Sequence, residues 1–190
     1  MTKILAFSGS ARKQSFNQAV AAAAAKAAEA AGAEVTLINL ADYPMPLFNE
    51  DEEAEQGMPD NAQAFKELLM AHDGIIIVSP EYNSSYPALL KNAIDWASRK
   101  VGDEKPLEAF KGKSTLIMAA SAGALGGMRV LVALRMLLSN IGMYVLPDQK
   151  AIGKVDTLID ENGILSDEKT NQQIARLVGN LVTHASKMKN

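Results

Sequence analysis

Five short apolar runs recur along this chain, and a segment with helical periodicity follows each of them. The runs are Lys3 to Phe7, Glu34 to Asn39, Gly74 to Val78, Ser114 to Ala120 and Met143 to Leu146, the last resumed near Ala151 to Ile152. Strand-like runs alternating with helical segments predict a parallel sheet with helices on both faces. The spacing predicts helices over Phe16 to Ala31, Asn61 to Ala71, Pro87 to Arg99 and Gly127 to Asn140, with a last one after Ser166 to near Lys187. Local signals agree with these limits. Gly32 suits a left-handed helix end, Pro87 suits a first helical position, and Ser166 reads as an N-cap followed by Asp167 and Glu168.

The predicted fold class is therefore α/β: a flavodoxin-like three-layer sandwich on a five-stranded parallel sheet of order 2-1-3-4-5. At 190 residues and 48% apolar composition, the chain reads as one domain over residues 1–190, large enough to bury a core. No internal repeat or low-complexity tract interrupts it. The loops from Leu40 to Pro59 and from Lys100 to Gly112 are longer than usual connections, and so are candidates for site walls or subunit contacts. The acidic run Glu50 to Glu53 reads as a solvated loop or a lid.

Charge and composition exclude several classes of function. A net charge of −3 leaves no electrostatic footprint for nucleic acid or an anionic membrane. No apolar run nears the roughly 20 residues that span a bilayer, and no signal-peptide pattern follows Met1 to Phe7. The expected location is cytoplasmic. With no cysteine, disulfides, iron–sulfur clusters and thiol nucleophiles are ruled out. The two histidines, His72 and His184, lie far apart on helix-like segments and are expected to be solvated or at helix ends. No metal site is expected.

Two polar stretches leave strands at the place where an open parallel sheet binds ligands. The first runs from Ser8 to Asn17. Gly9 lets the chain turn off the strand, and the opening turn of the next helix offers unpaired N–H groups to an anion. Ser10, Ser15 and Asn17 add short donors, and Arg12 adds a planar positive fork suited to phosphate. Ser15 also reads as a helix cap, with Gln18 completing a capping box, and the two roles are compatible. The second stretch, Ser79 to Pro87, offers Asn83, Tyr82 and backbone amides to a flat heterocycle. A phosphate at one coil and a ring at the other describe flavin mononucleotide (FMN). Rival nucleotide motifs fail. The first coil lacks the later glycines of a dinucleotide fingerprint, and Asn39 stands where that fingerprint wants an acid. Gly112-Lys113-Ser114-Thr115 has Leu107 in place of the first P-loop glycine and leads into a strand. The sequon Asn83-Ser84-Ser85 is inert in the expected compartment.

The run Pro80-Glu81-Tyr82-Asn83-Ser84-Ser85-Tyr86-Pro87, continued to Asp95-Trp96, resembles a signature of the NADPH-dependent FMN reductase family, flavodoxin-like proteins that include bacterial quinone and chromate reductases. The run Gly9-Ser10-x-Arg12-x-x-Ser15-x-Asn17 resembles that family's other signature. The resemblance covers Lys3 to about Gly142. It implies that Ser10, Arg12, Ser15, Phe16 and Asn17 hold the FMN phosphate. Pro80, Glu81, Tyr82, Asn83 and Ser84 would line the isoalloxazine, and Ser121 would close its other edge. The glycine-rich coil Ser121 to Gly127 departs modestly from the family pattern. NADPH or NADH is the implied co-substrate and a quinone or free flavin the implied small-molecule electron acceptor. A homodimer or homotetramer is implied, with the flavin near a subunit boundary beside the helix from Pro87 and the loop from Leu40.

Hydride transfer through a flavin needs no protein acid or base, so no residue is nominated as catalytic. Glu81 is expected to shape its loop and Asp95 to be a helix-surface or interface charge. Tyr82 is expected near the ring, and Trp96 in the core or an interface. Arg129 and Arg135 suit either NADPH phosphates or a subunit salt bridge. Two other readings remain: a flavodoxin-type electron-transfer protein without its own NADPH oxidation, and a receiver-like module. The second would need acids where this chain has Ser8-Gly9-Ser10.

Overall fold

A strand buried on both faces must be apolar on both, and the three central strands meet that demand. In the computed structural model, which describes residues 1–189, every residue of β3 (Gly74–Val78) and β4 (Ser114–Ala120) is buried, as is β1 (Lys3–Ser8) after its first residue. They form the middle of a parallel sheet of order β2-β1-β3-β4-β5, with β2 (Glu34–Asn39) at one edge. This is the predicted flavodoxin-like order. Alternate residues face opposite layers. Ile4, Ala6, Ile76, Val78, Leu116 and Met118 pack under α1 (Phe16–Ala30) and α6 (Glu168–Met188). Leu5, Phe7, Ile75, Ile77 and Ile117 pack under α3 (Asp60–Ala71), α4 (Ala88–Ala97) and α5 (Met128–Asn140).

The last strand differs from a continuous run, resuming near Ala151 to Ile152 as the sequence suggested. It is split into β5 (Tyr144–Val145) and β6 (Lys150–Ile152), and both pair with β4. Pro147 falls in the gap, where its missing N–H would break a ladder. Arg135 on α5 fills that gap by donating to the carbonyls of Val145 (3.1 Å), Leu146 (2.7 Å) and Pro147 (3.3 Å). Its guanidinium is thereby committed within the chain.

The loop after β2 also differs. It holds a 3-10 turn, Leu40–Asp42, and a sixth helix, α2 (Glu50–Gln56), where a solvated acidic loop was expected. Asn49 caps α2 by accepting from Asp51 N at 3.0 Å, and four acids fill its first turn, where the helix dipole favours them. The whole segment is lashed to α4. Asn92 accepts from Phe48 N and donates to Pro46 O, each at 2.8 Å, and Trp96 Nε1 also donates to Pro46 O at 2.8 Å. Arg99 grips Glu53 with bonds of 2.8 and 2.9 Å and lies 5.2 Å from the Phe48 ring centre. Trp96 is thus a core residue, as one of the two expected roles had it. Asp95 pairs with Lys91 on the α4 surface.

At the helix ends, Gly32 adopts φ +84° past α1. Pro87 is the N-cap of α4 instead of its first helical residue. Asp167, not Ser166, caps α6, accepting from Thr170 N at 2.8 Å, while Ser166 Oγ turns to Leu158 O. In the 100–112 loop Glu104 pairs with the buried Lys66. Burial pushes the Glu104 carboxyl upward, but bonds from Lys66 and from Val101 N outweigh it and hold the group below its ordinary range. His72 is buried, its ring nitrogens 2.6 Å from Leu68 O and 2.8 Å from Thr36 Oγ1, and His184 lies 2.7 Å from Ser114 Oγ. Among the described residues no helix is long and apolar enough to cross a membrane, and no group of three or more His, Asp or Glu is arranged to hold a metal.

Candidate cofactor-binding crevice

Three coils leave the carboxyl ends of β1, β3 and β4 side by side. Register makes them neighbours: Ser8 pairs with Val78, and Val78 with Met118. Two backbone bonds continue the pairing past the strands, Gly9 N to Val78 O and Ser79 N to Met118 O, both 2.9 Å.

The first coil, Gly9 to Ser15, is built by its own hydroxyls. Ser8 Oγ accepts from Ser10 N at 3.1 Å, Ser10 Oγ from Arg12 N at 3.3 Å, and Ser15 Oγ from Gln18 N at 3.3 Å. Ser15 is the N-cap of α1. The expected capping box is not completed, because Gln18 sends its side-chain amide to Ile38 O. The opening N–H groups of a helix have no intrahelical partner. Ser15 takes that of Gln18 through its hydroxyl and that of Ala19 through its carbonyl, which leaves those of Phe16 and Asn17 for a ligand. Arg12 is exposed, joins none of the ion pairs among the described residues, and stands 5.2 Å from the Phe16 ring centre. An open helix start, two hydroxyls with a proton still to donate, and an uncommitted guanidinium fit a phosphate.

Asn17 has a second role besides the expected one. Its amide is buried and makes two bonds to one residue at the end of β4, donating to Ala120 O at 3.0 Å and accepting from Ala120 N at 2.9 Å. The side chain ties the first coil to the third, and its backbone N–H and second side-chain N–H remain without a partner in these bonds.

The second coil contains a two-residue hairpin turn. Tyr82 N donates to Ser85 O at 3.0 Å and Ser85 N to Tyr82 O at 3.1 Å. Asn83 and Ser84 between them have φ of 51° and 67°, the mirror-image turn that requires positive φ at both positions. Asn tolerates that region, whereas Ser does so uncommonly, and such residues cluster at ligand sites. The turn lifts Tyr82 to 55% exposure and leaves the Asn83 and Ser84 side chains on the surface. An exposed aromatic ring stands beside two exposed polar side chains, a combination suited to a heterocycle.

The third coil, Ser121 to Gly127, is pressed onto the chain beyond β6. A Cβ on Gly126 would stand 2.4 Å from Gly153 N, so only glycine permits the approach. Ser121 Oγ accepts from Gly123 N at 2.9 Å, and Ser121 N donates to Ile152 O at 3.1 Å. Ser121 thus holds the coil while its hydroxyl proton remains available.

Glu81 was expected to shape its loop, and it does so across the crevice. Its carboxylate accepts from Arg129 N at 2.9 Å and Val130 N at 3.1 Å, the first turn of α5, and lies 3.4 Å from Arg129 Nη1. Arg129 is accordingly engaged within the chain, as Arg135 is. The expected residues lie on three neighbouring coils: Ser10, Arg12, Ser15, Phe16 and Asn17 on or just after the first, Pro80, Glu81, Tyr82, Asn83 and Ser84 on the second, and Ser121 on the third. The side chains of Asn17 and Glu81 are committed to scaffold bonds. Sequence reasoning missed Ser8, whose hydroxyl starts the chain of caps in the first coil; its place at the end of an apolar run was the available signal.

Comparison with known proteins gives a consistent result. A family model described as NADPH-dependent FMN reductase matches residues 2–157. A quinone reductase of Escherichia coli K12 is 38% identical over 153 residues, covering 80% of this chain and 78% of its own. An NAD(P)H-dependent FMN reductase of Pseudomonas aeruginosa is 36% identical, covering 90% and 89%. Among solved structures, a flavoenzyme NAD(P)H:(acceptor) oxidoreductase of Paracoccus denitrificans superposes with a TM-score of 0.80 at 27% identity, covering 99% of each chain.

The Asn17 tie yields a test. Asn17→Leu keeps the volume but leaves the N–H and C=O of Ala120 unpaired. It is expected to lower the free energy of unfolding by about 2–4 kcal/mol, read by urea denaturation. A loss below about 0.5 kcal/mol would contradict the tie.

Proposed function

The chain belongs to the NADPH-dependent FMN reductase family, and on that premise we propose that it passes electrons from NADPH or NADH, through FMN held in the crevice, to a small acceptor of the quinone or free-flavin type. The observation that carries the reading is the juxtaposition of an anion-ready helix start at Phe16 with the exposed platform of the Tyr82 turn. FMN, when bound, supplies the hydride relay between nicotinamide and acceptor. The chain's own residues bind and orient. The N–H groups of Phe16 and Asn17, the hydroxyls of Ser10 and Ser15, and Arg12 meet the phosphate. Pro80, Tyr82, Asn83 and Ser84 with the Glu81 backbone border the ring, and Ser121 borders its opposite edge. Backbone N–H groups of these coils would favour the negative charge that FMN takes up when it is reduced. Short side chains at Ser84, Ser85, Gly123 and Ala124 leave one approach open, which suits two substrates arriving in turn. A reductant of this class belongs to a cytoplasmic pool, and we assign the protein there.

The test is steady-state NADPH oxidation by the FMN-loaded protein with a soluble benzoquinone. Many turnovers per protein are expected; reduction of one equivalent of flavin and no more would contradict an enzyme and favour the flavodoxin-type carrier.

We further propose that the chain assembles as a homodimer or homotetramer. Leu125, Met128, Val132 and Met136 make a row at helical spacing on and before α5, between 46% and 70% exposed. An apolar row of that kind, beside the Tyr82 turn through the Glu81–Arg129 pair, suits a partner subunit at the crevice. Light scattering is expected to give two or four times the chain mass, and the mass of one chain would contradict assembly.

A further inference from the structure

We infer that Glu81 is a positioning residue: its carboxylate latches the Tyr82 coil to the start of α5 and so sets the gap between the two walls of the ring site. The inference rests on the FMN reading above and deepens it. Three observations carry it.

The first is a helix that cannot cap itself. The N-cap of α5 is Gly127, in the left-handed region at φ +84°, and it offers no side-chain acceptor. The first-turn N–H groups of Arg129 and Val130 would be left without partners. Glu81, from a coil 48 and 49 residues earlier in the chain, supplies one oxygen to both.

The second is closeness. A Cβ on Gly127 would lie 2.8 Å from Ala119 Cβ and 3.8 Å from Glu81 Cβ. The two coils therefore touch at this point, and the residue between them is the one without a side chain. The Glu81 side chain is only 15% exposed, and its bond to Val130 N is partly buried.

The third is placement. Glu81 directly precedes Tyr82, whose backbone closes the hairpin turn to Ser85. The coil is anchored behind Glu81 by Ser79 N on Met118 O and ahead of it by the turn itself. Glu81 is the bond from that stretch across to α5, and α5 is continuous with the Ser121 to Gly127 coil. Releasing the carboxylate frees the second wall to move relative to the third while both strands stay paired. Glu81 thus acts through backbone placement and touches no reacting atom.

The test compares Glu81→Ala with Glu81→Gln in the full chain, by FMN titration (quenching of flavin fluorescence) and by the visible circular dichroism of the bound flavin. Gln keeps an oxygen that can accept from both Arg129 N and Val130 N, so it rescues a latch but not an acid, a base or a charge. Expected results are at least tenfold weaker FMN binding with an altered dichroism spectrum for Glu81→Ala, and affinity within about threefold of wild type with an unaltered spectrum for Glu81→Gln. Wild-type affinity and spectrum in Glu81→Ala, even with a lowered melting temperature, would reduce Glu81 to a helix cap and overturn the proposal. Equal damage in both variants would also overturn it, since the charge would then be what matters. Failure of the wild-type protein to bind FMN would overturn the FMN reading itself, and the latch with it, and is recognised before any variant is compared.

Discussion

Two hydrogen bonds between the Asn17 amide and the backbone of Ala120 hold the first turn of α1 against the end of β4. They span 103 residues of sequence and lie where β1 and β4 have β3 between them. That tie joins the anion-ready helix start directly to the strand from which the Ser121 coil leaves. With it, the two outer coils form a frame, and the Tyr82 coil from β3 rises between them. The Glu81 bonds to α5 close the same frame from the other side. The crevice is thus a set of backbone surfaces held at fixed separations by a few buried polar side chains.

This arrangement suits a site whose chemistry resides in a bound cofactor. Preorganised N–H groups stabilise charge without reorganising during reaction, but only if their own coils are held still. Here the short side chains Ser8, Ser10 and Ser15 stabilise the first coil by bonds within it, and a hydroxyl that accepts one bond can still donate another. The positive-φ turn at Asn83 and Ser84 carries local strain and persists because strand pairing behind it and the Glu81 bond beside it over-determine its shape.

The central strands, the parallel order and most helix limits were legible because they follow from periodicity and local caps. What was not legible had non-local causes. The resumption of the last strand was read from the sequence, but the filling of its gap by Arg135, reaching three carbonyls from another element, was not. The helix Glu50–Gln56 carried its own signal, an Asn cap followed by four acids, but Pro46 and Gly57 around it argued for a loop. Asn17 read as a phosphate donor; that it also bonds Ala120, at the end of a strand no local pattern links to it, was not legible. Glu81 likewise declares its role only when α5 is placed beside it. The three coils were therefore readable as neighbours, while the side-chain bonds that hold them to one another were not.

The central claim is that the Phe16 helix start and the Tyr82 turn hold opposite ends of one flavin. A crystal structure of the protein grown with FMN tests it most directly. The account predicts the phosphate within hydrogen-bond distance of Phe16 N, Asn17 N and the Arg12 guanidinium, with the ring between the Tyr82 turn and Ser121. Density for the flavin elsewhere on the molecule, or a phosphate not touching the start of α1, would contradict it.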